Sequence, residues 1–313
     1  MLNGGGARKR LGIYRRELGR MRNPKLRAIH RQVNAHMVGR LPLWRPRKKG
    51  SFWAVTLVKN EIDIIELSVR HFVDQGAERV LVADNGSTDG TLELLRRLAE
   101  ELPIIVIEDR LTAYHQGEKM SFLARAAWRG GADWVVPFDA DELWYAPAGT
   151  LRGHLAASPS SIIDANIFNA YPIDGEPGPY RVDTVRHDFT QCCFRSHPVA
   201  RLANGNHTVN VLGRKSNEIN MLHIPWRSKE QMRMKVTQGW AAIEATGAEV
   251  GFDGHWGEMS EAKESAIDEI WASIALGVET ELDFGYKARG SLARIEPSTW
   301  THWPDDFPAE STS

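Results

Sequence analysis

Apolar residues fall in short blocks along the chain, and the spacing within a block alternates between two kinds. Phe52, Trp53, Ala54, Val55, Thr56, Leu57 and Val58 form a nearly unbroken apolar run. Arg79–Ala83, Ile104–Ile107 and Trp134–Phe138 are three more. Runs of about four to eight such residues without polar alternation suit strands buried on both faces. Between the runs the period lengthens. Ile62, Ile65, Leu67, Val69, Phe72 and Val73 mark an amphipathic helix that Gly76 ends. Thr91–Glu101 is a second helix, which Ser87, Thr88 or Asp89 can N-cap. Gly117–Gly130 is a third, carrying Met120, Phe122, Leu123, Ala126, Ala127 and Trp128 and stopped by Gly130-Gly131. Strand and helix alternate through four strands, which predicts an α/β chain with a mostly parallel central sheet flanked by helices.

The second half reads differently. Ile162–Ala170, Arg181–Val185, Gln191–Phe194 and Thr208–Leu212 are short strand candidates, interrupted at Asp174-Gly-Glu-Pro-Gly-Pro179. Ser228–Ala245 and Ser260–Leu276 read as helices, and 297–313 as an irregular tail. The pattern predicts a smaller strand-and-helix lobe packed on the first sheet. The expected divisions are an arm at 1–50, a first half at 51–145, a second at 146–296, and the tail.

Charge changes the picture at one place. The net charge of −1 hides an asymmetry: residues 1–50 hold fifteen Lys/Arg against Glu17 alone, or +14, so the other 263 residues carry −15. Such an arm can meet anionic lipid or nucleic acid, pack on the acidic body, or stay a solvated, partly disordered segment. No apolar core of a signal peptide follows its first basic residues, and no run of about 18 apolar residues spans a bilayer anywhere. The only cysteines, Cys192 and Cys193, are adjacent. They read as two buried thiols in a reducing, cytoplasmic setting, with peripheral attachment to a membrane left open through the arm.

Chemistry enters at the strand ends. Asn60-Glu61, Asp84-Asn85 and Asp139-Ala-Asp-Glu142 each follow an apolar run. Right-handed crossovers put all three on the carboxyl edge of a parallel sheet, where such sheets bind ligands. Like charges held close at Asp139, Asp141 and Glu142 oppose one another, and a hard divalent cation relieves the conflict. The other reading is that these acids cap a following helix. Lys119 is either a cation near bound phosphates or an exposed helix lysine. Trp144 and Tyr145 either stack on a sugar or belong to the core.

Val58-Lys-Asn-Glu61, Val82-Ala-Asp-Asn-Gly-Ser-Thr-Asp-Gly-Thr91 and Phe138-Asp-Ala-Asp-Glu142 together resemble glycosyltransferase family 2, which has the GT-A fold, over roughly residues 52–230. The resemblance implies a metal-dependent transfer of a sugar from a nucleotide-sugar donor, a UDP-sugar first, to a glycan, lipid or small-molecule hydroxyl by inverting displacement. It implies that Asn60, Glu61 and Asp84 hold the nucleoside and that Asp139 and Asp141 hold Mn²⁺ or Mg²⁺, with Asp141 the direct ligand. Asn204-Gly-Asn-His-Thr208 and Met221-Leu-His-Ile-Pro-Trp-Arg-Ser228 resemble a His-rich subgroup, which brings in His207 and then His223 as a further metal ligand and Arg227 as a phosphate ligand. The paired acids that usually supply the base are missing, so Asp174, Glu176, Asp183, Asp188 and His207 are the candidates for it.

Two other readings compete. A sugar-phosphate nucleotidyltransferase calls for a Gly-rich, Arg-containing loop where this chain has Val58-Lys-Asn-Glu-Ile-Asp63. A binding or scaffold protein with the same fold has no need of the Asp139/Asp141 pair. Nucleic acid is not expected, since no aromatic platform accompanies the basic arm.

Overall fold

The computed structural model describes residues 4–113, 115–173, 179–235, 264–276 and 288–308. Strands β2 (Phe52–Val58), β3 (Arg79–Asp84), β4 (Ile104–Asp109) and β5 (Trp134–Pro137) are parallel, in the order β4-β3-β2-β5. Alternate side chains of β2 divide between two cores. Phe52, Ala54 and Val58 meet Ile65, Val69 and Phe72 of α3 (Ile65–Asp74), with Leu95 and Leu98 of α4 (Thr91–Glu101) in the same cluster. Trp53 and Val55 meet Met120, Leu123, Ala124 and Ala127 of α5 (Gln116–Arg129). Burial on both faces is why these strands carry no polar alternation.

The arm is ordered, which excludes the solvated reading for its described part. Helix α1 (Gly4–Arg20) leads to α2 (Pro24–His36), which Asn23 caps by accepting from Lys25 N at 2.9 Å with Pro24 in the first turn. Strand β1 (Met37–Gly39) then pairs antiparallel with β4 and covers that sheet edge. Ile13, Val33 and Met37 are buried. His30 Nδ1 lies 2.7 Å from Glu118, and Arg201 Nε lies 3.0 Å from Glu17. The basic arm therefore packs on the body.

Residues 40–50 run along the amino ends of the strands. Arg45 N donates to Arg129 O at 2.8 Å, Lys48 N to Gly131 O at 2.8 Å, and Gly50 N to Asp133 Oδ2 at 2.9 Å. Gly131 has φ +92°, and a Cβ there would stand 2.6 Å from Pro46 O. Gly131→Ala is expected to cost about 2 kcal/mol or more, from left-handed strain and the displaced loop together. Urea unfolding would show it, and a loss below about 0.5 kcal/mol would disprove this account.

Beyond β5 the path continues β9 (Thr190–Arg195), β7 (Ile162–Pro172), β10 (Lys215–His223), β6 (Glu142–Tyr145). β9 is antiparallel to both neighbours, β10 runs parallel to β7, and β6 is antiparallel to β10. β8 (Tyr180–Asp183) and β11 (Leu292–Ile295) branch from β7. Only residues 138–141 separate β5 from β6 in the chain, though β6 ends the path and β5 lies four places back, in its middle.

The expected strand Thr208–Leu212 is absent. That stretch holds one bridge, Leu202 with Val209, and the strand lies later, at β10. Of the two expected second-half helices, residues 229–235 are helical at the start of the first, and α6 (Glu264–Leu276) matches the second. Trp144 and Tyr145 are buried in the core, and Tyr145 packs against Trp300 and Trp303 of the tail. They are core residues, and the sugar-stacking reading falls. Among the described residues no helix is long and apolar enough to cross a membrane.

Candidate active site

The three polar clusters meet at one edge, tied together by backbone-to-side-chain bonds. Asn60 takes φ +56° and accepts from Thr88 N at 2.7 Å, while its own N–H reaches Ser87 Oγ at 2.9 Å. Glu61 N donates to Thr91 Oγ1 (3.0 Å) and Ile62 N to Asp89 Oδ2 (3.1 Å). The residues expected to cap α4 thus join two loops instead. Only Asp89 also accepts from a helix N–H, that of Thr91 (2.9 Å), and Gly90 takes the cap position. Asp84 spends Oδ1 on Gly86 N and Ser87 N at 3.1 and 3.0 Å, and its buried Oδ2 has no partner among the described residues. A buried carboxylate oxygen left bare points to a donor from outside the chain.

Lys119 lies beneath this edge, at the carboxyl end of β4. Its ammonium is fully buried, 2.7 Å from Asp109 Oδ2 and 2.6 Å from Leu111 O. Neither reading of it from sequence holds. Asn85 Nδ2 donates to the same Asp109 oxygen at 2.7 Å, so the pair braces the loop after β3 from below.

The acid turn between β5 and β6 is the centre of the site. Glu142 Oε2 accepts from Asp139 N and from Trp144 Nε1, both at 3.1 Å. Asn206 Nδ2 donates to Asp139 Oδ1 at 3.2 Å, and Gln191 Nε2 bonds Glu142 and lies 3.4 Å from Asp139 Oδ2. Burial and then the Asp141 charge push Asp139 up to about 6, and burial with Asp139 raises Glu142 well above the carboxylate range. Asp141 is buried as well, but Lys235, His223 and Arg227 outweigh that and hold it low. Lys235 Nζ bonds Asp141 Oδ2, Arg227 Nη1 is 3.8 Å from the same oxygen, and His223 Nε2 is 3.9 Å from Oδ1. Arg227 also clasps Asp63 (2.7 and 2.9 Å) and Glu61 (2.5 Å), so it ties the loop after β2 to the acid turn.

The remaining candidates are spread out. Asp183 accepts from Val185 N (2.9 Å), Arg289 N (2.6 Å) and Gly290 N (3.0 Å), a structural anchor with no surface to offer a substrate. Asp188 is exposed and paired with Arg289 at 2.6 Å, which holds its carboxyl below the usual range. Asp174 and Glu176 lie outside the described residues. His207 Nδ1 donates to Thr190 O at 2.8 Å, which makes Nδ1 the protonated nitrogen, beside the Asn206 that touches Asp139. The imidazole near Asp141 is His223, oriented by Asn169 Oδ1 at 2.9 Å. Among the described residues no three His, Cys, Asp or Glu side chains are grouped to hold a metal ion by themselves.

Sequence reading missed Gln191, Asn206 and Lys235. Only Asn206 left a trace, in a Gly-flanked stretch whose φ of +57° suits Asn. Behind the turn, His71 Nε2 donates to Trp144 O at 2.8 Å, and burial lowers its pKa from 6.5 to about 4. An unfolded chain therefore takes this proton first. Stability from His71 is complete above about pH 6.5 and is lost as pH falls toward 4, by roughly 2 kcal/mol after allowance for partial exposure. His71→Gln is expected to flatten that part of the unfolding free energy against pH. An unchanged slope would assign it to another group.

Residues 53–191 match the family model described as glycosyl transferase family 2. That stretch, a little under half of the chain, is similar to the family. The matched segment holds Asn60, Glu61, Asp84 and the whole acid turn, and with its parallel sheet and site edge the chain has the GT-A type architecture of a glycosyltransferase. Among solved structures, S. aureus TarS 1–349 is 15% identical over 72% of this chain and 70% of that one, with a TM-score of 0.39. The mannosyltransferase PcManGT from Pyrobaculum calidifontis, solved with GDP-Man and Mn²⁺, is 16% identical over 86% and 91%, with a TM-score of 0.35. Likenesses this loose carry over neither substrate nor metal. No curated protein matches the chain.

Proposed function

We propose that this glycosyltransferase takes its sugar from a nucleoside-diphosphate donor and uses a divalent cation shared between Asp141 and the donor. The observation that carries the reading is the meeting of Asn60, Glu61, Asp84 and Asp139–Glu142 at one sheet edge, with Asp84 Oδ2 bare. Asp84 Oδ2 suits a ribose hydroxyl or a base N–H, and uridine stands first on the family resemblance.

The residues fit an ion shared with substrate and do not fit an all-protein cage. Mg²⁺ and Mn²⁺ in phosphate sites take about one or two carboxylates, with phosphate and water completing the shell. Asp141 supplies one carboxylate and already draws cations to itself, whereas both Asp139 oxygens face amides. Asp139 is thus a poorer ligand than the sequence suggests, and the imidazole beside Asp141 is His223, 3.9 Å from Oδ1. The ion, when bound, offsets charge on the departing diphosphate. Arg227 and Lys235 stand beside Asp141 and can turn to the same phosphates.

His207 is our base. With Nδ1–H directed to Thr190 O, its Nε2 lone pair is the one able to take a proton from the acceptor hydroxyl. Phe189, exposed and 5.5 Å from the His207 ring, would line the acceptor side.

Nucleotide sugars of each base, with Mn²⁺ and with chelator, test the reading. One donor is expected to release its diphosphate only with metal. If none is turned over or bound under any condition, the transferase reading is wrong. His207→Ala is expected to lower kcat by about 10²–10⁴-fold with donor affinity unchanged. A loss under about threefold would move the base elsewhere.

A further inference from the structure

We propose that residues 40–49 seat the protein on an anionic bilayer, with Leu43 and Trp44 entering the headgroup layer. In the described part of the arm's helices Ile13 and Val33 are buried, and Leu18 of α1 is exposed. A loop lies beyond them. Leu43 is 83% exposed and Trp44 66%, the most exposed large apolar pair of adjacent residues in the described chain. Arg40, Arg45 and Lys49 are exposed around them and make no ion pair among the described residues. Two large apolar side chains held in water are disfavoured, and an indole ringed by cations suits the boundary between anionic headgroups and acyl chains.

The loop is ready for this before it meets a membrane. Its backbone is fixed by Arg45 N to Arg129 O and Lys48 N to Gly131 O, and Pro42 and Pro46 restrict it further. Docking therefore costs little ordering entropy. Exposed Arg and Lys of α1 and α2 extend the positive field, each adding attraction near a negative leaflet. A nucleic acid would use the charge but leave Leu43 in water, so lipid is the partner that uses both halves of the loop.

Sedimentation of the full chain with extruded vesicles tests the proposal, comparing phosphatidylcholine alone with vesicles carrying about one third phosphatidylserine. The chain is expected to pellet with the anionic vesicles only. Leu43→Ser/Trp44→Ser changes two exposed side chains and keeps the fold, and is expected to lower the partition coefficient by about tenfold or more. Turnover of a soluble donor should be unchanged in that variant, so this inference and the transfer reading can fail separately. Three results would overturn it: no pelleting with anionic vesicles, equal pelleting with neutral ones, or a double variant that partitions like the wild type. Binding to duplex DNA without binding to vesicles would do so too.

Discussion

Asp141→Asn is expected to remove metal-dependent nucleoside-diphosphate binding and to lower turnover by about 10³-fold or more, the loss of roughly 4 kcal/mol of charge interaction at the departing diphosphate. Asp141 is the one acid of the turn whose carboxylate faces cations, Lys235 and Arg227 on Oδ2, with the His223 imidazole 3.9 Å from Oδ1. Asparagine keeps the shape and loses the charge. The variant leaves Lys235 and Arg227 in place, so a weak, metal-independent attraction for diphosphate should persist. Calorimetric titration with and without Mn²⁺ separates the two contributions. Asp139→Asn should lose less, since that side chain is already held by Asn206 and Gln191 amides. If the Asp141 variant binds nucleotide with the wild-type metal dependence, the ion does not sit on Asp141.

The second large effect is on stability. Asp109→Asn is expected to cost about 3–5 kcal/mol, because it leaves the buried Lys119 ammonium without its counter-charge. The two groups are 2.7 Å apart with side chains 1% and 0% exposed, and burial already lowers the Lys119 pKa against the opposing pull of Asp109. Asn85 loses part of its support in the same variant. Asp109→Leu/Lys119→Met should recover most of the loss, since no buried charge remains. Urea unfolding at neutral pH measures both. A loss below about 1 kcal/mol in the single variant would show that water reaches the pair.

The first half of the fold was legible because each signal was local and repeated. Strands buried on both faces carry unbroken apolar runs, and Gly76 and Gly130-Gly131 punctuate the helices between them. Convergence of the acid clusters then followed from topology alone. The second half hid its strands for physical reasons. The first residues of β10, Lys215, Asn217 and Glu218, are exposed, so its apolar signal begins only at Ile219. β6 is four residues long and starts inside the acid turn, so its buried Trp144 and Tyr145 could be read from sequence as site aromatics or as core. Lys119 could not be read because a charged side chain goes inside only when a distant partner meets it, and Asp109 lies ten residues away across a loop. The same holds for Lys235 and Gln191, whose places depend on how far strands bend.

That bending has a consequence for the width of the site. Four strand spacings of a flat sheet, about 4.8 Å each, would put β5 and β6 about 19 Å apart. The link between Pro137 and Glu142 reaches at most about 18 Å when fully drawn out, and here it is folded into a turn closed by Glu142 N on Asp139 O at 3.0 Å. The second half of the sheet must therefore roll back on itself, and the bond from Gln191 of β9 to Glu142 of β6 crosses the gap it leaves. Residues 138–141 act as a short drawstring around that opening. The aperture is fixed by a covalent length, so its size should tolerate repacking of the core far better than one residue added to the cord.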